Sequence, residues 1–347
     1  AAHDNLWIDL SCRNRFYPRW DFTGQSEDLQ ALADESGQLK ETWRELFVAY
    51  PDRVIWGSDI GPPGRREMLP DVVAETGARR IGFESDDMSV AIHQHLTRML
   101  KESSALEGKR VRLAPTTDIT VELRALKEPN EMELLQHAID ISDQAIDRVA
   151  PTIKAGQTEA EVAWQLELAM RELGAESISF DTIVGSGPNA ALPHHRAGER
   201  VIQEGESIVI DMGAKYKGYC SDLTRTIVIG TPDEKFRRVY DTVLGAQLTA
   251  IATVEGGMTG GDADGLARTV IEEAGYGDNF GHSLGHGVGL AVHERPRVVP
   301  ASRDVLEEGM VFTIEPGIYL PGWGGVRIGD IVTLEKGHAR VLTRSNK

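Results

Sequence analysis

The sequence predicts a mixed α/β protein in which a small N-terminal α/β domain precedes a larger α+β domain. Three observations lead there. Strand-like and helical segments alternate between about 68 and 118. From about 123 onward, long amphipathic helices are followed by β-branched runs punctuated by glycine. A chain of 347 residues is also long enough for one large domain plus a smaller one.

In the smaller part, Arg80-Ile-Gly-Phe-Glu84 reads as a strand. Ser89 to Lys101 reads as a helix, with Val90, Ile92, Leu96 and Leu100 at helical spacing. Pro115 and Thr116-Thr-Asp118 then mark a boundary. The larger part opens with an amphipathic helix from Glu131 to about Val149. Thr158 and Glu161 form a capping box that starts a second helix ending at Gly174. Ile178 to Val184 reads as extended, followed by the loop Gly185 to Ala190 and the strand Ser207 to Met212. A polar link, Lys215 to Gly218, leads into a strand from Asp222 to Ile229, so Asp211 and Asp222 are expected near facing positions of a hairpin. Helices are expected over about 234–254 and 262–274, and strands over Gly309–Tyr319 and Gly325–Leu334. No low-complexity tract or short-period repeat interrupts this order.

Composition narrows the partners. With 41% hydrophobic and 26% charged residues the chain is an ordinary globular protein. A net charge of −17 argues against nucleic acid or an anionic membrane. Cys12 and Cys220 are too few and too far apart for a disulfide framework or a thiol-based zinc site. No apolar run approaches the roughly 18 residues that span a bilayer, and no signal-peptide pattern opens the chain. It starts at Ala1 rather than Met, which allows for a missing N-terminal segment. A cytoplasmic location is expected.

The chemistry concentrates in acids at strand ends. Asp211 follows Ile208-Val-Ile, and a charge there is costly to bury unless it is paired or bound to a cation. Asp222 heads the next strand, and two carboxylates a few ångströms apart repel unless a proton or metal lies between them. His286 sits in Gly281-His-Ser-Leu-Gly-His-Gly-Val-Gly289, where glycines permit close backbone approach. His282, His286 and His293 fall within twelve residues. Glu315 ends another apolar strand, Phe312-Thr-Ile. Asp, Glu and one His without thiols suit hard or borderline divalent ions such as Mn²⁺, Co²⁺ or Zn²⁺.

Taken in order, His194 and the runs IDMGAKYKGYCSDLTRT, GHSLGHGVGLAVHERP, TIEPGIY and GGVRIGD resemble the pita-bread metallopeptidases of the creatinase, prolidase and aminopeptidase P family. The match includes the eleven-residue spacing from Asp211 to Asp222 and covers about Met68 to the C-terminus. The resemblance implies a pseudo-twofold sheet of curved antiparallel strands with two divalent metals, Mn²⁺ foremost, in its concave face. It implies that Asp211 binds one metal, that Asp222 bridges both, and that His286 and Glu315 hold the second. A metal-activated bridging water would attack the scissile carbonyl, with Glu315 shuttling the proton. On the same pattern His194 stabilises the tetrahedral intermediate and His293 contacts the scissile carbonyl or substrate carboxylate. His282 lines the substrate pocket and Arg327 is a positive group beside it. His195 matches no functional position. The implied substrate is a peptide with proline in second position, as for Xaa-Pro aminopeptidases and dipeptidases, and the implied assembly is a homodimer.

One position departs from the pattern. Peptidases of this type carry Glu where this chain has Gly329, in Gly325-Val-Arg-Ile-Gly-Asp330. Neighbouring strand residues face opposite ways, so Asp330 is not expected to replace it. A weakened second metal site and reduced turnover are expected. Two other readings stay open: a non-peptidase hydrolase or lyase on the same scaffold, acting on creatine-like, ectoine-like or organophosphate compounds, and a catalytically dead binding module.

Residues 1–66 differ in kind. Asn5-Leu-Trp-Ile-Asp-Leu-Ser11 and the segment from Trp43 to Asp59, ending Trp-Gly-Ser-Asp, are similar to part of the metal-dependent amidohydrolase family. The earlier histidines of such a site have no sequence to come from, so Asp59 is expected to be vestigial. The expected organisation is therefore an amidohydrolase-like fragment over 1–66, a remnant of the small domain over 67–122, and the catalytic domain over 123–347.

Overall fold

The computed structural model describes residues 8–9, 54–56, 69–85, 88–117 and 119–347. The chain divides into two compact units, Ala1–Thr120 and Val121–Lys347. Most of the amidohydrolase-like segment, Asp59 included, lies outside the described residues.

The first unit contains a parallel sheet in the order β1 (Ile8–Asp9), β2 (Val54–Trp56), β3 (Arg80–Glu84), β4 (Arg112–Thr116). Helix α1 (Leu69–Thr76) precedes β3, and α2 (Val90–Glu102) makes the crossover that parallel pairing of β3 with β4 requires. The Ser89 hydroxyl accepts from Ile92 N and starts α2. Leu69, Val73, Ile81, Phe83, Leu96 and Leu100 form the core of this unit.

Helix α3 (Ile119–Ala125) runs across the unit boundary, and the second unit continues with α4 (Pro129–Val149), α5 (Glu159–Glu172), β5 (Ser177–Ile178), β6 (Ile183–Ser186), β7 (Ser207–Met212), β8 (Ala214–Tyr216), β9 (Tyr219–Cys220) and β10 (Leu223–Val228). Then come α6 (Glu234–Thr253), α7 (Gly260–Glu273), β11 (Gly285–Gly287), β12 (Glu294–Val298), β13 (Val311–Ile314), β14 (Gly317–Leu320), β15 (Gly324–Arg327), β16 (Asp330–Glu335) and β17 (His338–Val341). Each half pairs two helices with an antiparallel sheet. Helices α4 and α5 bury Ile141, Ile146, Val162, Leu166 and Met170 against Ile208, Ile210 and Met212 of the sheet β10-β7-β6. Helices α6 and α7 bury Val239, Val243, Ala263 and Ile271 against Phe312, Ile314 and Val332 of the sheet β12-β11-β13-β16-β17. Strand β7 is buried along its whole length, which explains its continuous β-branched run.

The expected elements form with informative differences. Helix α4 starts at Pro129 rather than Glu131, because proline suits the first helical position and the Glu131 carboxylate accepts the Glu128 N–H. Thr158 caps α5 through Glu161 N, and Glu161 returns the bond to Thr158 N. The expected polar link 215–218 is itself a hairpin of β8 and β9, turning at Lys217 and Gly218, both at positive φ. The extended run expected over 178–184 splits into β5 and β6.

The strands expected over 309–319 and 325–334 also split, and here the split matters. Ile314 pairs with Asp330 and Gly317 with Arg327, so one register runs through both halves of a bent hairpin. Pro316 has no N–H to continue the ladder. At the bend Glu315 N turns to Leu284 O, and Gly329 exchanges backbone hydrogen bonds with Thr224 of β10. The bend joins the sheets of the two halves.

Candidate metal centre

The join between sheets brings the acids together. Asp211 pairs with Thr224 across β7 and β10, Thr224 bridges to Gly329, and Gly329 lies opposite Glu315. Cross-strand partners share a face, so this row aims its side chains into one space. Carboxylate oxygens of Asp211, Asp222 and Glu315 lie within 4.8 Å of one another. His286 Nε2 is 3.2 Å from Glu315 Oε1 and 3.5 Å from Asp222 Oδ2. The flanking glycines are there for strand spacing. A Cβ on Gly285 would stand 1.9 Å from Thr313 O, and one on Gly287 2.0 Å from Arg295 O.

Electrostatics here are those of acids crowded together in a water-poor space. Burial pushes the Asp222 carboxyl well above the usual carboxylate range, and the charges of Asp211 and Glu315 push the same way. Burial also raises Asp211, against the pull of Arg327. Burial would raise Glu315 too, but its hydrogen bond to His286 and the charges of His286 and Arg327 win, leaving it at about 2. Burial would lower His286, yet Glu315 and Asp222 hold it up at about 9. His286 Nδ1 donates to Gly287 O at 3.0 Å, which aims Nε2 at the carboxylates. Thr313 Oγ1 donates to Glu315 Oε1 at 2.8 Å and fixes that side chain.

These residues fit a divalent cation. Asp211 Oδ1 is buried without a hydrogen-bond partner, an arrangement that is costly for a lone protein atom and ordinary for a metal ligand. Three carboxylates and an imidazole make a hard-to-borderline donor set. A Cβ on Gly329 would point at Glu315 Cβ (3.0 Å) and Thr224 Cβ (3.1 Å), so the backbone at 329 faces the cluster while presenting no ligand. Asp330 faces away. Its carboxylate binds Arg225 and Thr343, Gln247, and Lys347.

Arg327 is buried and sits inside the acid cluster rather than on an open pocket wall. It pairs with Asp211 Oδ2 at 2.5 Å and donates to Thr224 Oγ1, Pro193 O and the Tyr319 hydroxyl. Tyr319 in turn meets His282 Nε2 at 2.8 Å, while His282 Nδ1 meets Ser283 O at 2.7 Å. With Nδ1 donating to that carbonyl, Nε2 accepts the tyrosine proton. Burial first, with the Arg327 charge, lowers the His282 pKa and keeps this tautomer neutral. His293 packs edge-on against His286, with ring centroids 4.3 Å apart. Its pKa is lowered by burial and then by the charge of His286. His194 is exposed on the loop after β6, and the carbonyl of Pro193 just before it accepts from Arg327 Nη1 at 3.0 Å.

Asp211, Asp222, His282, His286, His293, Glu315 and Arg327 thus gather at one place, with His194 on the loop beside Pro193, whose carbonyl Arg327 binds. Tyr319, Thr224 and Thr313 belong there as well. Each lies inside a quoted motif, but nothing in residue type or spacing marks an uncharged hydroxyl as part of a charged network.

Residues 133–336 match the model of metallopeptidase family M24. The chain is 47% identical over 247 residues to the Xaa-Pro dipeptidase of Pyrococcus furiosus, covering 71% of this chain and 70% of that protein. Among solved structures, the Xaa-Pro dipeptidase from Bacillus anthracis superposes with a TM-score of 0.76 at 40% identity, over 85% of this chain and 79% of that one. The X-Pro aminopeptidase from Thermotoga maritima gives 0.76 at 38% identity, over 83% and 80%.

Proposed function

The chain belongs to metallopeptidase family M24 and has the pita-bread fold its sequence anticipates, and we propose that it hydrolyses the Xaa-Pro bond of dipeptides or at the N-terminus of peptides. The observation that carries this reading is the convergence of Asp211, Asp222 and Glu315 within 4.8 Å, with His286 Nε2 facing them. In this reading Asp211, Asp222, His286 and Glu315 hold divalent metal, Mn²⁺ first with Co²⁺ and Zn²⁺ as alternatives. When bound, the metal supplies Lewis acidity and a water ionised near neutral pH. Its binding requires the proton to leave His286 Nε2.

The remaining work falls to the side chains. Glu315 Oε1 accepts the proton from the attacking water and returns it to the prolyl nitrogen. His194 and His293 donate to the oxygen on which charge develops. His282 lines the substrate pocket as a neutral imidazole. Arg327, buried against Asp211, acts on the substrate side through Tyr319 and the Pro193 carbonyl. With Gly329 in place of a fourth carboxylate, the second metal site is weak and turnover is reduced. The two-cysteine, disulfide-poor composition suits a cytoplasmic enzyme, and among the described residues no helix is long and apolar enough to cross a membrane. A homodimer is the proposed assembly.

Hydrolysis of Ala-Pro and Ala-Pro-Ala with added Mn²⁺ tests the proposal, for the chain as it stands and for Gly329→Glu. Release of proline from Ala-Pro by at least the restored variant is expected. Activity on neither peptide in that variant removes the Xaa-Pro reading.

A further inference from the structure

Glu159 is the first residue of α5, outside the metal centre, and it is fully buried. A buried carboxylate is tolerated only when donors surround it, and here they do. Ser186 N and Ser186 Oγ donate to Oε1 at 2.8 and 2.7 Å. Asn189 Nδ2 donates to both oxygens at 3.0 and 3.1 Å, and His195 Nε2 donates to Oε2 at 2.7 Å. Asn189 and His195 bracket the loop segment that carries His194. The N–H groups at the start of the same helix hold the loop's far end, Glu159 N to Arg200 O and Ala160 N to Gly198 O, each at 3.0 Å. Arg200 closes the ring, donating to Ser186 Oγ and pairing with Glu206. On the other side of His194, Pro193 O accepts from Arg327, whose guanidinium lies on Asp211. The backbone of His194 is therefore held between the acid cluster and Glu159.

We infer that Glu159 and His195 are positioning residues that fix His194 over the metal centre. The inference rests on the catalytic role proposed for His194. It also gives His195 a task that its place in the sequence does not suggest. A loop imidazole free to move by an ångström loses its alignment with the reacting carbonyl, and such displacements reduce turnover steeply.

Histidine-labelled protein loaded with diamagnetic Zn²⁺ provides a test without substrate. The imidazole Cε1–H cross-peak of His194, identified by its loss in His194→Ala, is expected to be single and sharp. In His195→Leu it is expected to broaden or split. In His195→Gln, whose amide still donates to Glu159, it is expected to recover. A single, unshifted His194 peak in His195→Leu would overturn the inference whatever the peptidase assay shows. Turnover of Ala-Pro in the Gly329→Glu background provides the second arm. His195→Leu is expected to lower kcat about tenfold or more with KM changed less than about twofold, and to cost nothing further once His194 is already alanine. An equal loss with and without His194 would show a merely structural role and overturn it as well.

Discussion

Glu315 and Gly329 stand directly opposite each other at the bend of one hairpin, where the registers of its two halves meet. Cross-strand partners share a face, so any side chain at 329 would enter the space that Glu315 already occupies. A carboxylate there would complete the ring of acids formed by Asp211, Asp222 and Glu315. The bend thus brings the backbone of Gly329 to the edge of the acid cluster with no side chain there.

Gly329→Glu is therefore expected to raise the metal bound per chain, and Ala-Pro turnover by about tenfold or more. The new Cβ requires Glu315 and Thr224 to give by a few tenths of an ångström. Gly329→Ala imposes the same squeeze without the carboxylate and is expected to bring no gain. Metal analysis after dialysis, alongside proline release, separates the two variants. Equal metal content in both would contradict the assignment of this position.

Asp222 should trade stability for metal binding. Its folded-state pKa is raised, so its contribution to stability is present at low pH and is lost as pH rises past the usual aspartate value of about 3.9. At neutral pH this buried carboxyl is therefore a cost to the metal-free fold. Asp222→Asn is expected to raise the melting temperature of chelated protein, by about 2–4 °C for each kcal/mol relieved. The same change should weaken metal binding. A lower melting temperature after chelation would show that the repulsion is relieved some other way.

Tyr319→Phe removes the hydroxyl that joins Arg327 to His282. A buried guanidinium loses an acceptor and His282 loses its donor, at a cost of about 1–3 kcal/mol. The variant is expected to melt earlier and to turn over Ala-Pro more slowly, with metal content unchanged. Loss of metal along with activity would place Tyr319 among the groups that build the site rather than among those that orient Arg327 and His282.

Asp330 predicts an acid limb. Burial would raise its carboxyl, but the charges and hydrogen bonds of Arg225 and Lys347 hold it below the usual range. Its stabilisation is therefore present above about pH 3.9 and is lost as pH falls through the lower folded value. Asp330→Asn is expected to melt below the parent at pH 7 and to converge with it as pH falls through the lower folded value. Melting curves across that range check it, and a gap that persists in acid would contradict the pairing.

Much of the site was legible in the sequence, because its chemistry is written in residue type. Acids at the ends of β-branched runs, and glycines around His286, carry their physical reason with them, and the capping box at Thr158 and Glu161 is a local signal that forms as expected. What the sequence by itself determined was which acids and histidines are available, the run of glycines around them and the glycine at 329. Tertiary structure alone decided how they meet. The bridge from Thr224 to Gly329 and the burial of Arg327 against Asp211 join segments far apart in sequence, and the bend at Glu315-Pro316 is held by the bond from Glu315 N to Leu284 O. The same holds for His195, an unremarkable loop histidine until α5 places Glu159 beneath it. Spacing along a chain encodes local geometry and residue type encodes chemistry. Which groups share a buried space follows only from how the sheets join.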